Sequence, residues 1–286
     1  MKDLAKISTV KEILKENGFH FSKSLGQNFL IDENVLSKII EGSNVSKDTN
    51  VIEIGPGFGV LTQRLIKYAK KVVSIEIDSS LIPILEDNFK DCDNFKLINQ
   101  DVLKCDLNKI IQEEFGGEKT IIVANLPYYI TTPILMHILE GKVNVESVTV
   151  MIQKEVCQRL RAKEGSKDYG AITLSVNYYS TPTLVTIVKP SSFIPAPKVE
   201  SAVIRLDIKK EPPVKLTNEK GFFSCIKASF MQRRKTLLNA LSSSPLVPKG
   251  KDEISAILNK VGIDEKRRGE TLSMEEFAVI SNEIFK

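Results

Sequence analysis

Short apolar runs rich in β-branched residues alternate with segments of helical spacing from about residue 50 onward. Seven of these runs are predicted as strands: 50–54, 71–77, 95–101, 120–125, 147–153, 183–188 and 201–208. The first five alternate with helical segments, which is typical of a parallel α/β sheet. The connection 189–200 is too short for a crossover helix, so the last two runs are predicted to pair as an antiparallel hairpin. The pattern therefore predicts an α/β fold with a seven-stranded, mostly parallel sheet and an antiparallel last strand.

The pattern changes at residues 209–221, where two prolines, lysines and polar residues suggest a linker. Three segments beyond it have apolar positions at helical spacing: 222–241, 251–262 and 273–285. We therefore predict two domains, an α/β domain over residues 1–209 and a small helical domain over residues 210–286.

The composition is that of an ordinary globular protein, with 42% hydrophobic and 27% charged residues and a formal net charge of +4. This mild positive charge permits an anionic partner without requiring one. The four cysteines form no C-x-x-C pair and there are only two histidines, so no metal site is expected. The sequence has no apolar signal-peptide core and no run of about 18 apolar residues, so we expect a cytoplasmic protein with no membrane partner.

A glycine-rich loop follows the first predicted strand, with Gly55, Gly57 and Gly59 just before a helical segment. Such a strand-to-helix turn lets the backbone approach a ligand closely, with helix N–H groups aimed at it. Val60 takes the place of the third glycine of the dinucleotide fingerprint, which argues against a nicotinamide dehydrogenase. The loop contains no lysine, which argues against a P-loop nucleotide hydrolase. By itself, the loop is also compatible with a tight turn that binds nothing.

Acidic residues stand near the ends of the next two predicted strands, Glu76 on one and Asp101 on the other. An acid at the position of Glu76 can accept hydrogen bonds from ribose hydroxyls. An acid at the position of Asp101 could accept one from the exocyclic amine of adenine. A lone acid at a strand end is often only a solvated cap, but ligands bind at the carboxyl edge of such sheets. The three features together favour a nucleoside cofactor without a pyrophosphate, and the cationic S-adenosylmethionine matches best.

The fourth predicted strand ends in Asn125-Leu126-Pro127-Tyr128, at the same edge of the sheet. The Asn125 oxygen and the Leu126 carbonyl could accept the two protons of an adenine amine and draw its nitrogen toward tetrahedral geometry. Pro127 would fix the turn, and Tyr128 could stack on the base. The loop therefore predicts a site that methylates adenine N6 through placement and fixed acceptors, without a general base. A polar loop with an Asn cap and core tyrosines is the alternative that these residues leave open.

A helix is predicted directly after this loop. Thr132 is its expected N-cap, Pro133 takes the first helical position, and Gly141 ends it. The loop therefore connects a buried strand to a helix at the edge where the cofactor is expected.

Several motifs together resemble those of the ribosomal RNA adenine N6-dimethyltransferases, and they occur in the same order. The first five are SLGQNFL (24–30), EIGPGFGVLT (53–62), IEID (75–78), QDVL (100–103) and NLPYYITTPIL (125–135). Further matches include FIPAPKVESAVIRL (193–206) and FMQRRKTLLNAL (230–241). The resemblance implies a Rossmann-like class I methyltransferase domain, in which residues 1–49 form a helical segment that covers the cofactor.

The resemblance also implies roles for individual residues. Those expected to contact S-adenosylmethionine are Asn28, Leu30, Gly55, Gly57, Glu76, Asp101 and Asn125. The target adenine would lie between Asn125 and Tyr128, with Phe193 helping to sandwich the base. The sequence departs from the family at Tyr129, where relatives often have Asn, His or Ser, and at Gly269, where they often have proline.

Basic residues are concentrated toward the C-terminus, where residues 211–286 hold 13 Lys and Arg against 10 Asp and Glu. The residues predicted to contact RNA phosphates are Lys23, Arg233, Arg234, Lys235, Lys266, Arg267 and Arg268. For any one of these clusters, an ordinary solvated helix face is the alternative.

The branch of the family that the motifs resemble most dimethylates two adjacent adenosines in the 3′-terminal hairpin of bacterial 16S rRNA. We therefore expect a monomeric enzyme that acts on 16S rRNA in the 30S subunit or its precursor, with a role in ribosome biogenesis. Two alternatives stay open. One is the related enzyme that methylates 23S rRNA and confers macrolide resistance, and the other is a non-catalytic protein that binds RNA in ribosome assembly or transcription.

Overall fold

The computed structural model describes residues 4, 5, 9, 12 and 28–286. Internal contacts divide the chain into two compact units. The first unit comprises the described residues up to Cys157 together with Thr181–Ile208, and the second comprises Gln158–Ser180 and Lys209–Lys286. The predicted RNA contact Lys23 lies outside the described residues, as does most of the predicted cofactor-covering segment before residue 28.

Two sheets form the first unit. Their strands are β1 (Phe29–Leu30), β2 (Asn50–Ile54), β3 (Lys71–Glu76), β4 (Phe95–Asn99), β5 (Thr120–Asn125), β6 (Ser147–Gln153), β7 (Ser180–Val188), β8 (Phe193–Ile194) and β9 (Ser201–Ile208). The larger sheet has the order β4-β3-β2-β5-β6-β9-β7, and its first five strands are parallel. Strand β9 runs antiparallel to β6. The predicted seven-stranded mixed sheet is confirmed, and the short strands β1 and β8 form a separate antiparallel pair.

The strand order determines where a ligand can bind. From β2 the chain builds outward through β3 to β4, and then returns to add β5 and β6 on the other side of β2. In open α/β sheets, the crevice at such a switch point, beyond the carboxyl ends of the strands, is the ligand site. All five residues of β2 are buried, as a strand covered on both faces requires.

Helices connect and cover these strands. They are α1 (Glu33–Ser43), α2 (Val60–Tyr68), α3 (Ile82–Phe89), α4 (Leu107–Phe115), α5 (Thr131–Glu140) and α6 (Lys154–Leu160). Local capping fixes several of their first residues: Asp32 Oδ1 accepts from Asn34 N at 3.0 Å, and Asp106 Oδ1 accepts from Lys109 N at 3.0 Å.

Helix α5 starts two residues earlier than the sequence suggested, at Thr131 rather than Pro133. It begins at Thr131, directly after a 3-10 turn over Tyr128–Ile130, so the prediction of Thr132 as its N-cap is wrong. The Thr131 hydroxyl instead donates to Pro127 O at 3.1 Å, which ties the helix to the loop before it. Gly141 is the C-cap, as predicted.

The second unit is helical. Its helices are α7 (Ala171–Tyr179), α8 (Glu219–Met231), α9 (Leu237–Ser242), α10 (Lys251–Lys260) and α11 (Met274–Ile284). The single helix predicted over 222–241 is broken between α8 and α9, where Leu237 N donates to Arg267 O at 2.6 Å instead of continuing the helix. Phe222 and Phe277 are fully buried in the core of this unit.

Residues 158–180 group with the second unit, whereas the sequence had placed them in the first. The Tyr169 hydroxyl donates to Leu272 O at 2.9 Å, and the Tyr178 ring packs against Phe222 with centroids 5.5 Å apart. These contacts join segments about 40 to 100 residues apart along the chain, which no local pattern reports.

Candidate functional site

One cavity lies at the switch point of the first unit. Five stretches of chain line it: 28–30, 53–58, 75–77, 100–102 and 125–130. Each of the last four begins at or near the carboxyl end of one of the parallel strands β2 to β5. The structure therefore brings together the predicted residues Asn28, Leu30, Gly55, Gly57, Glu76, Asp101, Asn125, Leu126, Pro127 and Tyr128.

The glycine loop has a backbone that other residues rarely adopt. Gly55, Gly57 and Gly59 have φ angles of 69°, 59° and 88°. A Cβ at Gly57 would lie 2.8 Å from the Phe29 ring, whereas a Cβ at Gly55 would meet nothing closer than Asn125 O at 4.0 Å. The loop at Gly55 thus leaves its backbone open to the cavity, where a side chain would take up ligand space.

Glu76 is held by the loop that it faces. Its Oε2 accepts from Gly57 N at 3.3 Å, and its Oε1 accepts from Asp78 N at 2.8 Å. Burial raises the pKa of this carboxyl, although backbone N–H donors from Asp78, Gly57 and Ile77 oppose that effect. Each oxygen keeps a lone pair for one more donor, so the carboxylate is oriented and able to accept from a ligand.

Asp101 has two roles in the structure. It caps the 3-10 turn that follows β4, with Oδ1 accepting from Leu103 N at 3.0 Å. It also lines the cavity. The sequence could not decide between a cap and a ligand contact, and the geometry permits both, because the cap uses one oxygen.

A buried carboxyl that the sequence analysis missed, Glu53 in the middle of β2, also lines the cavity and is 1% exposed. Its Oε2 accepts from Thr62 Oγ1 and from Ser74 Oγ, both at 2.6 Å. Its Oε1 has no hydrogen-bond partner among the described residues. Burial raises the pKa of Glu53 to about 7, with a smaller contribution from the negative charge of Glu76. A charged residue between the apolar residues Ile52 and Ile54 of the strand was the signal that could have found it.

The loop after β5 presents two acceptors. Asn125 Nδ2 donates to Asn28 O at 3.2 Å, which turns the other end of the amide, Oδ1, away from that contact. Leu126 N donates to Met151 O at 3.2 Å, and the Leu126 carbonyl accepts no hydrogen bond from the described residues. The Asn125 oxygen and the Leu126 carbonyl therefore have no hydrogen-bond donor among the described residues, and their predicted role as acceptors for an amine stays a prediction.

Two neighbouring tyrosines follow in different environments. The Tyr128 hydroxyl shares a hydrogen bond with Ser201 Oγ at 2.6 Å, and burial raises the Tyr128 pKa. Tyr129 is 57% exposed at the edge of the cavity. Ile77, directly after Glu76, is another lining residue that is 52% exposed, and the sequence analysis did not single it out. An apolar side chain displayed there can pack against the face of a base.

Phe193 lies apart from the cavity lining. It pairs with Leu30 across the two short strands β1 and β8, and its side chain is 3% exposed within the core. In this structure it supports the wall to which Leu30 belongs. Its predicted role beside the target base stays a prediction.

The predicted RNA contacts of the second unit divide into two groups. Arg233 donates to Lys167 O at 2.9 Å and forms an ion pair with Glu270 at 3.2 Å. Arg267 is bonded to both carboxylate oxygens of Glu276. The predicted side chains that are exposed and make no ion pair within the described residues are Arg234, Lys235, Lys266 and Arg268.

The described residues contain no cluster of three or more His, Cys, Asp or Glu side chains that could bind a metal ion. Within the same part of the chain, no helix is both long and apolar enough to cross a membrane.

Comparison with known proteins identifies close relatives over almost the full length. A family model described as ribosomal RNA adenine dimethylase matches residues 18–284. The ribosomal RNA small subunit methyltransferase A of Alkaliphilus oremlandii is 52% identical over 276 residues, covering 96% of both chains. The protein of that name from Geobacillus thermodenitrificans is also 52% identical, over 98% of this chain and 97% of its own.

Two solved structures share the fold over most of the length of this chain. A dimethyladenosine transferase from Plasmodium falciparum is 26% identical with a TM-score of 0.75, over 88% of this chain and 95% of the other. The 23S rRNA methyltransferase ErmE is 25% identical with a TM-score of 0.66, over 91% of this chain and all of its own. With the family model matched from residue 18 to residue 284 and relatives that share half of its residues, this chain belongs to the ribosomal RNA adenine dimethylase family.

Proposed function

We propose that this protein uses S-adenosylmethionine to dimethylate N6 of two adjacent adenosines in the 3′-terminal hairpin of 16S rRNA. It would act as a monomer on the 30S subunit or its precursor, in the cytoplasm, as a step of ribosome biogenesis. The observation that carries this proposal is the single cavity that Glu76, Asp101 and the Asn125–Tyr128 loop all line. Relatives about half identical that are named small subunit methyltransferases support the choice of rRNA.

The cavity residues fit the cofactor in charge and shape. Glu76 can accept from the ribose hydroxyls, Asp101 can accept from the adenine amine, and Ile77 can cover the adenine ring. The open backbone at Gly55 permits close approach of the ligand. Glu53, whose second oxygen has no partner among the described residues, adds an acidic group that suits a cation. When bound, S-adenosylmethionine supplies an electrophilic methyl group on a sulfonium.

The Asn125 loop would then activate and hold the target amine. Asn125 Oδ1 and the Leu126 carbonyl accept hydrogen bonds from its two protons, which draws the nitrogen lone pair out of conjugation with the ring. The same oxygens stabilise the positive charge that develops on N6 until a proton is lost to solvent. Tyr128, held by Ser201, offers a ring on which the extruded adenine can stack. Most of the rate enhancement comes from placement of nitrogen, methyl and sulfur in line.

The RNA itself would be held by phosphate contacts, which offset the cost of extruding a base, a few kcal/mol. The candidates are the exposed side chains of Arg234, Lys235, Lys266 and Arg268. Arg233 and Arg267, which are bonded within the second unit, are weaker candidates.

The test is Asn125→Ala, assayed on purified immature 30S subunits. We expect the rate of methyl transfer to fall by at least about 100-fold, the usual loss when one fixed electrostatic contact to the reacting group is removed. RNA binding should be retained. Asn259→Ala, on the exposed face of α10, is the control and should match the wild type. Wild-type transfer by Asn125→Ala would refute the role of this residue.

The second candidate is methylation of 23S rRNA, which the similarity to ErmE favours. The wild-type protein should therefore be assayed in parallel on protein-free 23S RNA, with the products located by mass analysis of RNA fragments. Transfer to 23S RNA alone would replace the proposed function by this one. Binding of 30S subunits without transfer to any RNA would favour the non-catalytic alternative.

A further inference from the structure

Tyr129 is an aromatic side chain of the cavity lining that has no role in the proposed binding of cofactor or target base. Phe29 and Phe58 also line the cavity, but both are buried in the core. The Tyr128 ring is partly buried, and its hydroxyl is bonded to Ser201. Tyr129 is 57% exposed, lies on the same lining, and makes no hydrogen bond or ring contact within the described residues.

The backbone that carries Tyr129 is fixed. Pro127 restricts the turn at φ −59°, Ile130 N donates to Pro127 O at 3.3 Å, and the Thr131 hydroxyl donates to the same oxygen. Helix α5 follows at once. A partner of the Tyr129 ring would therefore bind to a surface that is already oriented, with little loss of backbone entropy.

The chemistry at this edge suggests the partner. A base that enters the cavity leaves its stack, so the next base of the same strand loses a stacking neighbour and emerges at the mouth of the cavity. Exposed aromatic rings at single-stranded nucleic-acid sites stack on bases irrespective of their hydrogen-bonding edges. Purines present a larger face than pyrimidines, so an exposed tyrosine there favours a purine neighbour.

We propose that Tyr129 is the stacking platform for the nucleotide next to the target adenosine, and that it favours a purine at that position. The proposal rests on the proposed function, in which each of two adjacent adenosines is the neighbour of the other. Tyr129 is then a specificity-determining residue that holds RNA. This role requires the aromatic ring of Tyr129 and does not require its hydroxyl.

The first experiment compares the wild type with Tyr129→Ala and Tyr129→Phe on immature 30S subunits. Tyr129→Ala should raise the KM for 30S by about 5- to 150-fold, the range expected from loss of one base–aromatic stack. Its kcat at saturating 30S and its Kd for S-adenosylmethionine should stay close to the wild-type values. Tyr129→Phe should behave like the wild type. The control is Tyr68→Ala at the end of α2, which removes another exposed ring (42%) that lies outside the cavity lining.

A second experiment tests the partner itself, with 30S subunits reconstituted from 16S rRNA in which one of the two adenosines is replaced by uridine. For the wild type, the KM for methylation of the remaining adenosine should rise relative to the natural substrate. For Tyr129→Ala the replacement should cause no further rise, because the platform is already absent.

Three results would overturn the proposal. The first is an unchanged KM for 30S in Tyr129→Ala, and the second is a rise in that KM in Tyr129→Phe as large as in Tyr129→Ala. The third is a Tyr129→Ala variant in which only the Kd for S-adenosylmethionine rises, which would make Tyr129 a cover for the cofactor. Failure of the proposed function is recognised separately, because the wild-type protein would then transfer no methyl group to the 16S adenosines.

Discussion

Two carboxyls of the cavity in the first unit and the unpaired basic side chains of the second unit are held in opposite ways. In the first unit, the carboxyls of Glu53 and Glu76 are almost completely buried, and each is bound by specific donors. In the second unit, Arg234, Lys235 and Arg268 are displayed to solvent. Buried charges interact strongly because water does not screen them, whereas exposed charges are weakened by solvent and salt. The cavity should thus depend on single residues, and the basic surface on the sum of several.

The largest effect is expected from the buried carboxyl of Glu53. Its pKa in the folded protein, about 7, lies above the ordinary value of 4.5, so the folded state binds more protons than the unfolded state between these values. The free energy of unfolding should therefore fall as pH rises from about 4.5 to 7, by about 3 kcal/mol in total from this group. Glu53→Gln cannot ionise, so this loss should be absent from the variant.

The measurement is denaturant unfolding of the wild type and Glu53→Gln from pH 4.5 to 8. As pH rises, the unfolding free energy of Glu53→Gln should increase relative to that of the wild type. The matched control is Glu86→Gln, which makes the same change at an exposed carboxyl of α3 that lies outside the cavity lining. If Glu53→Gln kept the wild-type slope, the view that burial makes this single charge costly would be wrong.

A smaller effect on ligand binding is expected from Glu76→Gln. The amide keeps the shape of the carboxyl, but it loses the charge and places an N–H₂ group opposite Gly57 N or Asp78 N, where both are donors. The Kd for S-adenosylmethionine should rise by about 10- to 100-fold, as for loss of a hydrogen bond to a charged group. Isothermal titration calorimetry measures this Kd, and Glu86→Gln is the control whose Kd should match the wild type. An unchanged Kd would remove Glu76 from the cofactor site.

The smallest effects are expected on the basic surface, where two arginines form a matched pair. Arg267→Ala breaks the ion pair with Glu276 and should lower the free energy of unfolding by about 1 kcal/mol. Arg234→Ala should leave stability unchanged, weaken RNA binding only a few-fold, and reduce the slope of log affinity against log salt by about 1. Thermal melts and salt titrations separate the two. If Arg234→Ala weakened RNA binding as much as Glu76→Gln weakens cofactor binding, the contrast between the two units would be wrong.

The sequence alone was enough to predict which residues line the cavity, but not which basic side chains of the second unit stay unpaired. Parallel strands bring their carboxyl ends to one edge, so Gly55, Glu76, Asp101 and Asn125 had to meet once the strands were recognised. No such rule governs side chains on helices. Arg233 and Arg234 are both exposed, but only Arg233 is bonded to its neighbours, and only three-dimensional contacts decide this difference.

The other misses have similar physical reasons. Glu53 has no turn or cap signal, because its function depends on burial within a strand. The helix predicted over 222–241 breaks where Leu237 finds an acceptor in Arg267 O, thirty residues away. The pairing of Phe193 with Leu30 and its burial in the core were likewise not readable from the sequence, while its predicted place beside the target base stays a prediction. In each case, distant contacts override what neighbouring residues predict.

The hydrogen bond from Asn125 to Asn28 has a consequence for when the enzyme becomes active. It joins residues 97 positions apart, and the Leu30–Phe193 pairing spans still more of the chain. Both contacts need the later segment to be present, and closing such long loops costs entropy before the contacts can form. A nascent chain that still lacks β8 would have its glycine loop and acids but an incomplete wall. Methyl transfer should therefore switch on only after release of most of the chain from the ribosome, which makes activity a reporter of completed folding.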